Sequence, residues 1–203
     1  MTGRVVVLCG PSGVGKGTVV AALMQRQPQV WLSTSVTTRA PRPGEVAGVS
    51  YFFVTDDEFD QMVADSQLLE WATVHGQHRY GTPRQPVMQA VAAGRQVLLE
   101  VDLSGARQIR RSLPGAYQVF LLPPSWEELE RRLRGRDTED AATVARRLET
   151  ARDELAAVDE FDAVVVNDEV ADTVAQLVQL LGLGSDETNA TRQVPERLTS
   201  EGT

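Results

Sequence analysis

The chain of 203 residues holds a single cysteine, Cys9, which excludes an internal disulfide, a stapled secreted fold and any metal site built from several thiolates. Lysine is equally scarce: 19 of the 20 cationic side chains are arginine, and Lys16 is the exception. Long hydrophobic runs are missing too, with nothing approaching the ~20 apolar residues of a membrane-spanning helix. The short apolar run 5–9 after Met1-Thr2-Gly3-Arg4 is too brief for a secretory leader. A cytoplasmic location without membrane association is therefore expected. Positive charge is in deficit, the net charge being -8, which argues against a broad footprint on nucleic acid or anionic lipid. An anionic ligand must be held by a local cluster. Hydrophobic residues at 42% and charged residues at 24% exclude wholesale disorder, and the length suits one domain with or without inserted flaps.

What is present is alternation. Residues 4–9 (RVVVLC), 96–101 (QVLLEV), 117–122 (YQVFLL) and 161–166 (FDAVVV) read as buried strands. Helical patterns over 17–24, 83–93, 103–112, 125–133, 141–158 and 169–181 separate them. Strand and helix in turn imply βαβ units, hence an α/β fold with a parallel sheet flanked by helices. Two stretches break the pattern: residues 35–84, rich in Thr, Tyr, Phe and turn residues, read as a small mixed-β insert, and the polar segment 134–143 reads as a flap. Residues 185–203, polar and nearly free of large apolar groups, are expected to be a disordered tail.

Directly after the first predicted strand and before the first predicted helix stands Gly10-Pro11-Ser12-Gly13-Val14-Gly15-Lys16-Gly17-Thr18. The three glycines ahead of the lysine, Gly10, Gly13 and Gly15, let successive N–H groups and a helix N-terminus turn towards phosphate oxygens, and Lys16 adds a point charge for the outer phosphates. The segment reads as an ATP-binding phosphate loop. A strict loop of this kind has Ser or Thr immediately after the lysine as a magnesium ligand. Here Gly17 occupies that place and Thr18 follows, so the phosphate cradle is kept while a direct hydroxyl bond to the metal is not assured.

A second anion site is suggested by Ser35-Val36-Thr37-Thr38-Arg39-Ala40-Pro41-Arg42-Pro43-Gly44-Glu45, where two arginines flanked by prolines would present their forks at little ordering cost. The phosphate loop, this S-x-T-T-R-x-P-R-x-G-E segment, Tyr51-Phe52-Phe53, Glu70-Trp71-Ala72 and Tyr80-Gly81-Thr82 together resemble guanylate kinase, a family that transfers a phosphoryl group from ATP to GMP in purine nucleotide metabolism. The resemblance runs from about residue 4 to 181. It implies that Arg39, Arg42, Tyr51 and Tyr80 hold the GMP phosphate and that Ser35, Glu70 and Thr82 contact guanine. Guanine offers N1–H and an N2 amine side by side, to which one carboxylate can accept, whereas adenine has no such pair of donors. The stretch 75–80 is one residue longer than the commonest family form.

Glu100 and Asp102 are two apart and are expected on one strand face at its carboxyl end, where open α/β sheets place ligands. The resemblance puts Asp102 at the guanine pocket or at magnesium-bound water. Mg2+ is the implied cofactor, with no direct protein ligand, Thr18 and Asp102 acting through water. In 126–137, Glu127 and Arg131, Glu128 and Arg132, and Glu130 and Arg134 are spaced as helix-surface ion pairs. Arg136 and Arg147 lack an acid at the favourable upstream spacing and suit closure over the transferring phosphates, and the resemblance marks both and adds Arg132. With Lys16 these are the expected catalytic residues. The expected layout is a P-loop core over 1–34 and 85–184, a GMP-binding insert over 35–84 and a lid over 134–147. ATP and GMP are the expected partners, with no nucleic acid and no obligate protein partner. The competing readings are a kinase of another phosphorylated acceptor and a non-catalytic guanylate-kinase-like binding module.

Overall fold

The computed structural model describes residues 3–74, 76–135 and 141–184. The expected tail, together with Arg136, Asp137 and His75, lies outside the described residues. Five parallel strands, β1 (Val5–Cys9), β2 (Trp31–Leu32), β7 (Val97–Glu100), β8 (Tyr117–Leu122) and β9 (Ala163–Val166), form one sheet in the order β2-β7-β1-β8-β9. Such a sheet needs cover on both faces, and the alternation of β1 divides the core accordingly. Val6 and Leu8 pack with Val19, Leu23, Val174 and Leu177 on one face, from α1 (Lys16–Arg26) and α7 (Val170–Leu180). Val5, Val7 and Cys9 pack with Val87 and Ile109 on the other, from α3 (Arg84–Ala92) and α4 (Leu103–Ser112). Cys9 is fully buried and its thiol is pushed up to about 12 by that burial, so it is an inert core residue.

The chain visits β2 and β7 on one side of β1 before crossing to β8 and β9 on the other. The crevice at the carboxyl end of β1 is thus where a doubly wound sheet receives its ligand. Two more helices, α5 (Trp126–Arg134) and α6 (Ala141–Ala156), follow β8, and Leu129, Leu133 and Ala151 bury them on the face of α1 and α7, while Phe120 and Phe161 meet at a ring-centroid distance of 4.8 Å on the other face. Among the described residues no helix is long and apolar enough to cross a membrane.

Between β2 and α3 stands a second sheet of β3 (Val36–Thr37), β4 (Phe52–Phe53), β5 (Leu68–Val74) and β6 (His78–Pro83), in the order β4-β3-β6-β5. Strands β5 and β6 form an antiparallel hairpin, and β3 lies antiparallel to β6 but parallel to β4. This sheet also carries a helix that the sequence pattern did not announce, α2 (Asp56–Ala64). A reciprocal capping box starts it, Thr55 accepting from the Glu58 N–H while the Glu58 carboxylate takes the Thr55 N–H at 2.7 Å. Its Phe59 is fully buried against Val36 and Leu68.

Candidate active site

The loop from Gly10 to Gly15 leaves the end of β1 and turns into α1 at Gly15, whose φ of 99° only glycine adopts readily. Gly13, at φ 84°, has the same constraint, and a Cβ there would lie 2.8 Å from the Leu133 side chain. Lys16 opens the helix and curls back over the loop, its Nζ donating to Gly10 O at 2.6 Å and Pro11 O at 3.4 Å. The outer side of the loop is pinned through Val14 O, which accepts from Asn167 Nδ2 at 2.8 Å and Arg132 Nη1 at 3.1 Å. Asn167 is itself buried and accepts from Thr173 Oγ1 at 3.1 Å. A cavity of about 480 Å³ opens over this loop, with Lys16, Thr18, Glu100, Arg132 and Asp168 on its walls.

Arg132 unites two expectations. Its Nε donates to Glu128 at 2.6 Å, the surface pair that helix spacing predicts, while its Nη1 reaches the loop. Glu128 takes Arg131 as well and is held at about 2, chiefly by its bonds to Arg131 and then Arg132. Glu130 and Arg134 pair at 2.6 Å as expected. Arg147, half-buried, and Glu154 lie seven residues apart on α6, on one face of that helix. Glu154 accepts from the Ser12 N–H at 3.0 Å, tying this helix to the phosphate loop. Burial holds its carboxyl above the usual range, partly offset by that bond and the charge of Lys16.

Gly17 is exposed, and a Cβ there would meet nothing within 4 Å. Gly17→Ala is therefore expected to stabilise the protein by about 0.5 kcal/mol through the glycine's lost chain entropy. Urea unfolding of the two proteins checks this, and a destabilised variant would show that the open space is needed.

The residues expected to hold the acceptor gather around the small sheet. Arg39 is buried, with Nε donating to Tyr80 Oη at 3.1 Å and its ring-stacking face 5.4 Å from the Tyr51 ring centre. Tyr51 and Tyr80 meet edge to face at 5.8 Å, so the extra residue in the β5–β6 loop does not take Tyr80 out of the cluster. The expectation of two open arginine forks needs correcting. Arg39 is clamped by Glu45, Nη1 to Oε2 at 3.0 Å and Nη2 to Oε1 at 2.8 Å, and Nη1 also donates to Ala40 O at 2.7 Å. With the Tyr80 bond, one Nη2 hydrogen of its five N–H donors is left uncommitted. Glu45 also takes the Arg42 N–H at 2.8 Å, and these contacts hold its carboxyl below the usual range. Arg42 is exposed.

Glu70, on β5, faces Thr82 on β6 and accepts from its Oγ1 at 2.6 Å. Burial pushes its carboxyl up to about 7, with the Thr82 bonds pulling down and the nearby charge of Asp102 adding to the rise. Ser35 stands just before β3, its carbonyl accepting from the Phe52 N–H at 2.9 Å. Asp102 departs from expectation: it is not on the strand with Glu100 but caps α4, accepting from the Gly105 N–H at 2.7 Å. Glu100, the last residue of β7, turns to the phosphate-loop cavity, whereas the Asp102 charge is felt by both Glu70 and Glu154. Asp102 thus lies between the two halves of the site. Among the described residues no three His, Cys, Asp or Glu side chains form a metal cage.

Sequence reading passed over Glu45, Asn167 and Glu154. Asn167 had a signal, since it follows directly on the carboxyl end of a predicted strand. Comparison with known proteins agrees with the geometry. The sequence model described as "Guanylate kinase" matches residues 2–182. A guanylate kinase of Thermobifida fusca is 59% identical over 182 residues, 90% of this chain and 92% of that protein. One of Nocardia farcinica is 60% identical over 179 residues, 88% and 93% of the two chains. The crystal structure of guanylate kinase from Anaplasma phagocytophilum superposes with a TM-score of 0.70 at 31% identity, covering 95% of this chain and 90% of that one.

Proposed function

The chain belongs to the guanylate kinase family and phosphorylates GMP at the expense of ATP, and we propose that it does so with ATP on the phosphate loop and GMP between Arg39 and Glu70. The observation that carries this assignment is Glu70, a half-buried carboxylate with one oxygen anchored by Thr82. Such a group is costly unless its ligand supplies donors, and guanine supplies two. Ser35 and Thr82 complete the base site, while Tyr51, Tyr80, Arg42 and the uncommitted Arg39 hydrogen bind the acceptor phosphate. The same donors suit dGMP, which differs only at the sugar.

The nucleophile is an anionic phosphate oxygen of GMP, so no general base is required. Catalysis rests on alignment and charge neutralisation. Backbone N–H groups of residues 13–18 hold the ATP phosphates, Lys16 neutralises the group in transfer, and Arg132, Arg147 and Arg136 gather its equatorial oxygens. Closure of the insert (35–84) and the lid (134–147) over the core excludes water, so that ATP is not hydrolysed in place of transfer. The residues at the cavity fit Mg2+ carried in by the nucleotide: Thr18 and Glu100 line it, Asp102 would reach it only through water, and among the described residues none forms a cage. Mg2+ bound this way supplies charge neutralisation between the phosphates. A cytoplasmic location suits a reaction that draws on ATP and GMP pools, and among the described residues no helix is long and apolar enough to cross a membrane.

The test is ADP formation from Mg-ATP with GMP, dGMP, AMP, CMP and UMP, with controls lacking acceptor or metal. Turnover confined to guanine nucleotides is expected. Equal turnover with AMP would overturn the Glu70 assignment. The pH dependence carries a further prediction. Glu70 presents two accepting oxygens to guanine only when ionised, and burial pushes its carboxyl up to about 7 in the free enzyme. Protonation below that pH turns one of its oxygens into a donor that faces guanine's own donors, so KM for GMP should rise as pH falls from 8 to 6, while above it KM levels off. The GMP phosphate also titrates near pH ~6, so the profile is read against Glu70→Gln, in which the rise centred on 7 should vanish.

A further inference from the structure

Strand β5 is the outer strand of the small sheet, with β6 on its inner side only. The outward backbone groups of an edge strand are ordinarily left to water or to another chain. Around Glu70 they are not. Helix α4 runs along that edge and fills the ladder positions with side chains. Gln108 Oε1 accepts from the Trp71 N–H at 3.1 Å, and Gln108 Nε2 donates to Trp71 O at 2.9 Å. One turn on, Ser112 Oγ donates to Leu69 O at 2.6 Å. Gly105, on the same helix face, completes the rail: a Cβ there would sit 3.2 Å from Glu70 Oε2 and 3.4 Å from Asp102 Oδ1. The residues on both sides of Glu70 are therefore bonded to the core helix, while Glu70 itself pairs inward with Thr82.

We propose that Gln108 is a positioning residue for guanine recognition, its side-chain amide pairing with both backbone groups of Trp71 as a neighbouring strand would and thereby fixing Glu70 against α4. The proposal rests on the reading of Glu70 as the carboxylate that meets guanine. Its chemistry is that of a primary amide, which alone among side chains other than asparagine offers a donor and an acceptor in the geometry of a peptide group. Asparagine is one carbon shorter. A carboxylate on Glu70 that shifts by a fraction of an ångström can still take one guanine donor but loses the second, so the loss falls on the N2 amine contact.

Inosine monophosphate, which keeps N1–H and lacks the N2 amine, separates this role from a general structural one. The variant Gln108→Met keeps the bulk and removes both bonds. Wild type should prefer GMP over IMP in kcat/KM, and Glu70→Gln should abolish most of that preference. Gln108→Met is then expected to lower the GMP/IMP ratio about tenfold, mostly through KM for the acceptor, with KM for ATP unchanged. Ser112→Ala, which removes one flanking bond, should shift the ratio in the same direction by less. It supplies the test if Gln108→Met does not fold. Equal losses with GMP and IMP, or none, would overturn the proposal. A wild type indifferent between the two acceptors would overturn the Glu70 reading, and the role of Gln108 with it.

Discussion

Lys16→Ala is expected to lower kcat by roughly a thousandfold, the scale on which one preorganised cationic or hydrogen-bonding contact to a developing charge is lost. The side chain stands at the helix start with its ammonium 2.6 Å from Gly10 O, so it is already folded over the space the phosphates would take. No other lysine exists in this sequence to substitute for it. The strand and helix on either side of the loop are anchored by the fully buried Leu8, Val19 and Leu23, so the fold should persist. Lys16→Arg should recover little, because a planar fork is too broad for a position that bonds its own loop carbonyls. Steady-state turnover with a thermal melt on the same samples checks both variants. Turnover near that of wild type would remove Lys16 from the transfer.

Glu70→Ala should cost a similar amount by another route. Two hydrogen bonds from guanine to a carboxylate are worth about 1.5–3 kcal/mol each, which at about 1.4 kcal/mol per factor of ten is roughly 10²–10⁴ in kcat/KM for GMP. The Thr82 hydroxyl, bonded to Glu70 at 2.6 Å, loses its acceptor as well. KM for ATP should stay constant, since Glu70 does not line the phosphate-loop cavity. The measurement is kcat/KM for GMP and AMP side by side. A variant that still prefers GMP by the wild-type factor would show that the base is read elsewhere.

The parts legible in the sequence were those governed by local rules. Strands β1, β7, β8 and β9 are continuous apolar runs because both faces of a parallel sheet are buried. The helix over 103–112 could be placed to the residue, with basic residues in its last turn. Val101-Asp102 looked like the continuation of a strand, yet an aspartate before a helix is equally a cap, and the Gly105 N–H decided between the two. Helix α2 had its own signature in Thr55-Asp56-Asp57-Glu58, masked by the aromatic and threonine-rich surroundings. Two-residue strands such as β2 and β4 carry too few side chains for any period to be visible. Lys16, Glu70 and Thr82 stood out because ordered motifs surround them. Glu45 stood in the same motif as Arg39, but its clamp on that side chain is a fact of three dimensions; Gln108 and Glu154 act across 37 and 142 residues of chain on Trp71 and Ser12, and nothing near them in sequence records that contact.

The position of Lys16 has a consequence for covalent regulation. Protein acylation, carbamylation and isopeptide conjugation all work on primary ε-amines, and this polypeptide has one, bonded to the carbonyls of its own phosphate loop. Any lysine-directed modification within this sequence therefore falls on the loop between β1 and α1. The 19 arginines are closed to that chemistry, and the sequence offers no second side-chain amine on which to carry such a mark while leaving that loop untouched.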